Sequence, residues 1–334
     1  MPKVSVIIPN YNHAPYLKQR IDSVLTQTFQ DLEVIILDDF SKDNSRDIIK
    51  EYESNPRVQI AFNEKNSGCL FKQWNKGLKM ATGQYVWIAE SDDYAAPTFL
   101  ETMVGCLDAD SKIGVAYSDS FRVFKGEVKY ARELWYGEKA SSFDRDFKMN
   151  GREFIAQRML LKNSIPNASA ALFRRSLSEQ IGGADEAYLV CSDALFWIKL
   201  LELSDVAYFA TPLNYYRYHE QTARHANVTN GIILEESCRI SLHVLENFPV
   251  PPADSKALRE HLSAEYIEMM VAHHSSILPE RKRNLKKLIS RLDPDAVRRL
   301  WFRTSGLQWL WLGCRRRILT VWSKLFPGQA TGLF

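Results

Sequence analysis

The sequence predicts an α/β protein: a mainly parallel sheet flanked by helices, followed by an all-helical C-terminal extension. Three observations predict it. Over the first 120 residues, short apolar runs alternate with segments of helical period, the pattern of strands joined by crossover helices. Three of those runs end in polar clusters, at Pro9–Tyr11, Asp38–Asp39 and Glu90–Asp93. Sheets of this kind bind ligands beyond the carboxyl ends of their strands. After about Gly231 only helical periodicity remains.

The elements follow in order. VSVIIP at 4–9 reads as a buried strand, ended by Pro9 before the polar loop Asn10-Tyr11-Asn12. Pro15 suits a first helical turn, and Leu17, Ile21, Val24 and Leu25 give the helix to about Gln27 one apolar face. EVIIL at 33–37 is the second strand and delivers Asp38 and Asp39. Ser41 or Asp43 can cap the next helix, which runs to about Tyr52. Residues 57–62 form the third strand, 63–68 a turn, and 70–80 a helix closed by Gly83. YVWIA at 85–89 is apolar or aromatic throughout, as suits a central strand covered on both faces. Pro97 opens a helix to about Leu107, and 113–118 is the fifth strand.

From Phe124 to Asn150 the period dissolves, which reads as a long loop excursion over the site. A helix is expected at 151–162, a strand at 168–173 and a helix at 192–203. Residues 206–210 and 214–218 read as a strand pair or as short extended segments. Helices are expected near 232–247, 254–277, 280–291 and 306–325. The expected division is a domain over 1–230, with halves 1–120 and 121–230, and a helical region over 231–334.

The composition, 46% hydrophobic and 25% charged, supplies a core and excludes a disordered chain. Five cysteines (69, 106, 191, 238 and 314) are odd in number and lack a CxxC pair. They fit buried thiols in a reducing compartment better than a disulfide framework or zinc site. A strand-like run starts after two residues, so no signal peptide is expected. The apolar stretch at 306–314 falls far short of the roughly 20 residues of a membrane span. The expectation is a cytoplasmic protein. The net charge of +3 is uneven: residues 281–334 hold 13 Lys/Arg against two acids, which leaves 30 basic and 38 acidic residues before them. An acidic body with a basic tail asks for an anionic partner at the tail.

Glu90, Asp92 and Asp93 place three acids in four residues directly after the central strand. Such crowding is unfavourable unless a positive charge sits among them. A hard divalent cation, Mn2+ or Mg2+, would answer it; the alternative is a solvated acidic turn.

Five stretches carry a resemblance: VSVIIPNYNHAPYL at 4–17, VIILDDFSKDNS at 34–45, NSG at 66–68, WNKGLKMATGQYVWIAESDD at 74–93 and GGADEAYLVCSDALFWIKL at 182–200. In this order they make the chain resemble the family 2 glycosyltransferases, over about residues 3 to 220. The resemblance implies a GT-A fold, a Rossmann-like sheet, and a nucleotide-sugar donor. It places the nucleotide base at Pro9, Tyr11 and Asp39, since an aromatic can stack on a base and a carboxylate can accept the imide N–H of uracil. A UDP-sugar is therefore the expected donor. Tyr11 can equally pack on the following helix. Asn66 would lie near the nucleotide and its ribose.

The resemblance also sets Glu90-Ser91-Asp92-Asp93 at the family's DxD-type motif. It makes Asp93 the metal ligand and lets Asp92 reach the ribose, or the metal through water. Glu90 replaces the first acid. Asp193 becomes the general base that deprotonates the acceptor, with Ser192 where the family has a second acid; the plain alternative is a helix N-terminal acid. His219 would touch the metal or diphosphate, or be a hydrogen-bonded structural histidine. Arg217 would meet the diphosphate or brace the fold. The implied reaction is an inverting transfer to a hydroxyl of a glycan or lipid-linked acceptor.

Two rivals stand beside it. A sugar-phosphate nucleotidyltransferase would bring a Gly-rich basic N-terminal loop, which 9–13 lacks. A non-catalytic nucleotide-sugar-binding protein is favoured only by Ser192 and Glu90. In the tail, Trp301, Trp309, Trp311 and Trp322 interleave with basic residues. That pattern fits a helix lying on an anionic membrane surface, or a packed subdomain with a solvated face. No recognised module supports nucleic-acid binding, and none is expected.

Overall fold

The computed structural model describes residues 1–130, 132–160, 163–219 and 227–304. Four strands form the parallel part of the sheet: β1 (Val4–Asn10), β2 (Leu32–Asp38), β3 (Val58–Phe62) and β4 (Tyr85–Ile88). Every residue of β1, β2 and β4 is buried, which is why these strands read as unbroken apolar runs. They are crossed by helices α1 (Ala14–Leu25), α2 (Ser45–Lys50) and α3 (Leu70–Met80), and α4 (Phe99–Ala109) follows.

The remaining strands are β5 (Tyr94–Ala95), β6 (Ile113–Phe124), β7 (Glu127–Tyr130), β8 (Phe147–Met149), β9 (Ala171–Arg174) and β10 (Asp205–Arg217). The order across the sheet is β3-β2-β1-β4-β9-β6-β10-β5, with β7 on β6 and β8 on β10. β9 is antiparallel to both β4 and β6, while β6 and β10 run parallel. The acidic turn after β4 therefore lies where the sheet changes direction.

Close packing demands glycine between α3 and the sheet. A Cβ on Gly83 would stand 2.6 Å from Ser5 N, a backbone atom that cannot move aside. Ser5 Oγ instead accepts from Gly83 N (2.8 Å) and donates to Glu33 Oε1 (2.5 Å), so the polar ends of three strands are tied together. Beneath them Trp87 and Phe99 pack at 4.6 Å between ring centroids, within one continuous apolar core.

Several expectations need correction. The segments 206–210 and 214–218 are one strand, β10, with register shifts around Phe209, Pro212 and Asn214. Pro212 cannot donate to the ladder, so the chain bulges there and then resumes pairing with β6. The strand expected at 113–118 continues to Phe124. The excursion 124–150 is not a bare loop: it holds β7, α5 (Arg132–Tyr136), a 3-10 turn (Gly137–Phe143) and β8. Arg132 anchors it, donating to Asp119 Oδ2 at 2.8 Å and Asp144 Oδ1 at 2.7 Å. The helix expected at 151–162 is α6 (Gly151–Arg158), and the strand expected at 168–173 begins as a 3-10 turn (Ala168–Ala170) before β9. Helix α7 (Arg175–Gln180) was not expected; α8 (Ser192–Glu202) was.

The chain divides into two compact units, one of residues 1–227 with 240–255, the other of 228–239 with residues from 256 onward. Helix α9 (Ile232–Asn247) spans the division, as does α10 (Pro252–Ala272). In the second unit α11 (Pro279–Leu292) buries Leu285, Ile289 and Leu292 at helical spacing. α12 (Ala296–Thr304) follows. The helix expected at 254–277 stops at Ala272, where a 3-10 turn (His274–Ser276) takes over. The one expected at 306–325 lies outside the described residues. No described helix is long and apolar enough to cross a membrane.

Candidate functional site

The acidic turn after β4 is held from every side. Glu90 donates its backbone N–H to Ser169 Oγ (3.0 Å), and its carbonyl accepts from Arg20 Nε (2.8 Å). Its carboxylate accepts from Trp74 Nε1 at 2.9 Å. Burial first, then the neighbouring Asp92, holds this carboxyl well above the usual range. Glu90, the departure from the expected motif, thus faces inward as a structural acid.

Asp93, expected as the metal ligand, is also turned inward. It is 1% exposed; Oδ2 accepts from Asn167 Nδ2 (2.7 Å) and Oδ1 from the Arg217 backbone N–H (2.9 Å). Burial and the charge of Asp92 push its carboxyl up to about 6. Asp92 points the other way, because successive residues of a turn project to different sides. Its Oδ2 lies 3.0 Å from His219 Nε2. Burial works to raise Asp92, yet the His219 hydrogen bond and the two nearby imidazoles leave it below its ordinary value.

The second imidazole is His13, which sequence reasoning passed over. It precedes α1, its Nδ1 is 2.8 Å from Ser91 Oγ, and its ring meets that of His219 edge-on at 5.5 Å. Burial lowers its pKa against the pull of Asp92. One ligand atom each from His13, Asp92 and His219 falls within 4.8 Å of the others, a three-residue group able to hold a metal ion. His219 Nδ1 is buried without a partner among the described residues. Imidazole with carboxylate is a fair donor set for a transition-type divalent ion such as Mn2+, whereas Mg2+ is bound through oxygen.

Beneath the acids lies Arg20, on α1 and fully buried. Its Nε holds Glu90, its guanidinium sits 5.5 Å from the Trp87 ring, and Nη1 and Nη2 have no partner among the described residues. Burial lowers it to about 10, opposed by Asp93, Asp92 and Glu90 in that order, so it remains charged and balances the acids from within. Arg217, left open between ligand and brace, braces: its guanidinium lies between Tyr16 (5.0 Å) and Tyr94 (4.8 Å) and donates to the Asp92 carbonyl and to Gln19 Oε1.

A second group of polar residues lies at the ends of β1 and β2. Pro9 pairs with Leu37 inside the sheet, and Tyr11 just beyond is 44% exposed. Asn12 adopts a positive φ of 57° and accepts from Lys42 N (2.7 Å), which joins this loop to the one after β2. Asp38 is internal, accepting from Arg46 Nε (2.8 Å), Ser41 N (3.0 Å) and Asn10 Nδ2 (3.0 Å). Asp39 Oδ1 accepts from Asn63, Ser67 N and Gln73, and Oδ2 from the Ser67 hydroxyl at 2.8 Å. Asn66 closes the turn, donating to the Asp39 carbonyl (3.1 Å) and accepting from Gly68 N (2.7 Å), where φ is +71°. Lys72 turns away to the Ser67 carbonyl. Neither Ser41 nor Asp43 is the cap residue of α2, which is Asn44; Asp43 instead accepts from Ser45 N and from Ala14 N, joining two helix starts.

Asp193 stands in the first turn of α8 and accepts from Asn163 Nδ2 at 3.2 Å. The helix is indirectly coupled to the acidic turn, since Phe196 packs edge-on against Trp74 (5.8 Å), the residue that holds Glu90. Ser192 is buried and donates to the Asp185 carbonyl at 2.8 Å, so it locks the loop before α8. The structure thus groups Asp92 with His219 and adds His13; it groups Asp39 with Asn66; and it directs Asp93 to Asn167.

Residues 5–182 match the model of the family described as Glycosyl transferase family 2. Over 161 residues the chain is 32% identical to glycosyltransferase GlyG of Streptococcus pneumoniae, covering 46% of this chain and 54% of that one. Over 93 residues it is 43% identical to the putative teichuronic acid biosynthesis glycosyltransferase TuaG of Bacillus subtilis, covering 28% and 36%. The chain thus spans about half the length of the first relative and about a third of the second. Among solved structures, S. aureus TarS 1-349 in complex with UDP-GlcNAc superposes with a TM-score of 0.65 at 20% identity, over 88% of this chain and 81% of that one. The mannosyltransferase PcManGT from Pyrobaculum calidifontis, in complex with GDP-Man and Mn2+, gives 0.55 at 17% identity, over 98% and 88%. At these identities the structural likeness speaks for the fold.

Proposed function

The chain belongs to glycosyltransferase family 2, and from that membership we propose that it transfers a sugar from a UDP-sugar to a hydroxyl of a glycan or lipid-linked acceptor, with inversion. One observation carries the reading. Two groups of polar side chains of different chemistry, the one around Asp39 and the His13–Asp92–His219 cluster, follow the carboxyl ends of β2, β1 and β4, and the loop after β1 reaches both. A nucleotide base and a diphosphate need such a pair of seats a short distance apart.

Each residue has a task in this reading. Asp39, fixed by its four donors, accepts from the base; Tyr11 stacks on it; Pro9 sets the strand end, and Asn66 shapes the turn near the ribose. A divalent cation, Mn2+ before Mg2+, would be held by Asp92, His219 and His13 and would neutralise charge on the departing diphosphate. Asp93 keeps Asp92 in place through Asn167 and Arg217 rather than acting as the first ligand. Asp193 removes the proton from the acceptor hydroxyl. That oxygen forms the new bond to the anomeric carbon as the bond to the diphosphate breaks, and the nucleoside diphosphate leaves.

The work would take place at the cytoplasmic face of a membrane, with the basic region from 281 onward against anionic lipid. The test is release of nucleoside diphosphate from a panel of nucleotide sugars with Mn2+ present. UDP release that requires Asp193 supports the reading. Pyrophosphate release from a nucleoside triphosphate and a sugar phosphate would replace it with nucleotidyl transfer. Nucleotide-sugar binding without turnover would leave a binding protein.

A further inference from the structure

The second unit contains a cavity of about 630 Å³ that the transfer chemistry does not use. Its walls come from α10, α11 and the turn between them, with Leu300 of α12. Tyr266 and Met270, one helical turn apart on α10, form a buried apolar floor. Lys282 and Lys286, one turn apart on α11, and Arg283 between them line the opposite wall. His274 completes the rim, its Nδ1 3.3 Å from Lys282 Nζ. No acid lines the cavity.

The distribution of ion pairs sharpens this. Arg281 on α11 is paired with Glu235 (3.0 Å), and on α12 Arg298 is paired with Asp295 (3.0 Å) and Arg299 with Asp293. Lys282, Arg283 and Lys286 form no ion pair among the described residues. Val271 (50%) also lines the cavity, and Leu278 (63%) and Trp301 (56%) expose large apolar side chains in the same unit. Three cations around a cavity with no acid, with apolar side chains exposed in the same unit, match an anionic lipid whose head sits among the cations while its chains stay in the bilayer beside the exposed apolar residues. A free anion would leave those apolar residues without a partner, and an uncharged lipid would leave the cations without one.

We propose that this cavity is a headgroup site for an anionic phospholipid, through which the second unit seats on a membrane surface. It narrows the membrane reading above to one place on the chain, and it is independent of sugar transfer.

The experiment uses the full-length protein and flotation on phosphatidylcholine vesicles with and without phosphatidylglycerol. Wild type floats with the anionic vesicles and stays behind with the neutral ones, and salt releases it. Lys282→Glu/Lys286→Glu lowers the bound fraction's apparent affinity by about tenfold or more, because each basic residue near an anionic surface contributes substantially. Arg298→Gln/Arg299→Gln, whose charges are already paired, stays close to wild type. Circular dichroism and thermal melting confirm that the variants fold. Equal flotation of the Lys282/Lys286 variant and wild type would overturn the proposal and assign any attachment to another part of the chain. Flotation on neutral vesicles, or displacement by millimolar inorganic phosphate, would overturn it as well. UDP release, assayed separately, reports on the transferase reading alone: vesicle binding without turnover sinks that reading and not this one.

Discussion

Replacing Asp93 with asparagine should stabilise the metal-free protein at neutral pH, an unusual outcome for a residue of this motif. Asp93 is 1% exposed, and its carboxyl is raised from 3.8 to about 6, first by burial and then by Asp92. An acid whose folded pKa exceeds its unfolded value binds protons on folding. Its contribution to stability is therefore fully present below about pH 4 and is lost as pH rises to about 6. At 1.36 kcal/mol per unit, a shift of about two units makes the ionised group cost about 3 kcal/mol above that range. Asp93→Asn removes the charge, and its Oδ1 can still accept from Arg217 N. The new amide, however, meets Asn167 Nδ2, and Asn167 cannot turn over because its Oδ1 already accepts from Ser169 N at 2.6 Å. That lost hydrogen bond costs about 1 kcal/mol. The variant should be more stable than wild type by about 2 kcal/mol near pH 7.5, and less stable by about 1 kcal/mol near pH 4. Urea unfolding followed by tryptophan fluorescence in EDTA, across that range, measures both ends. Parallel stability curves for the two proteins, or a variant weaker at every pH, would refute the argument that the buried, repelled charge of Asp93 destabilises the fold.

Four further outcomes are expected. Asp193→Asn lowers kcat by about 10²–10⁴-fold while leaving UDP affinity unchanged by calorimetry; a loss confined to affinity would remove it as the base. His13→Ala and His219→Ala each weaken Mn2+ binding, titrated calorimetrically with UDP present, by about tenfold or more, whereas binding that survives both changes would exclude the cluster as the metal seat. Asp39→Asn, which loses a charge-assisted acceptor, raises the Kd for UDP by about tenfold or more; an unchanged Kd would move the base elsewhere. Gly83→Ala lowers stability by about 1–3 kcal/mol in thermal melts, because its Cβ would stand 2.6 Å from Ser5 N; a neutral change would mean that the strand can shift.

The strands and acidic ends of the first half were legible because burial on both faces writes itself as continuous apolar sequence. VSVIIP and YVWI admit little else, and the residues that follow each run land at one edge of the sheet. Local punctuation also served: Pro15 opens α1, and Gly68 takes the left-handed turn. What could not be read was any pairing across long sequence separations. Asn167 reaches Asp93 from 74 residues away, Arg20 reaches Glu90 from 70, and His13 enters the cluster from the far side of three crossovers. No local motif marks them. The orientation of neighbouring side chains was equally hidden. Asp92 and Asp93 are adjacent and chemically identical, yet one faces the imidazoles and the other faces Asn167, a difference set by the turn and not by composition. In β10, Pro212 split one strand into two apparent ones because the sequence shows the missing donor and not the bulge that absorbs it.

The position of β9 has a consequence for synthesis. Strands β1 to β4 can pair in order as they emerge, each beside a neighbour already made. β9, residues 171–174, slots between β4 and β6, both of which are complete by residue 124. Until it arrives, two apolar strand edges face each other with an empty lane between them, and such edges invite pairing with other chains. At translation speeds of roughly 5–20 residues per second, that lane stays open for several seconds. The late strand therefore acts as the closing stitch of the sheet, and a nascent chain stalled before it would be a candidate for chaperone capture or aggregation.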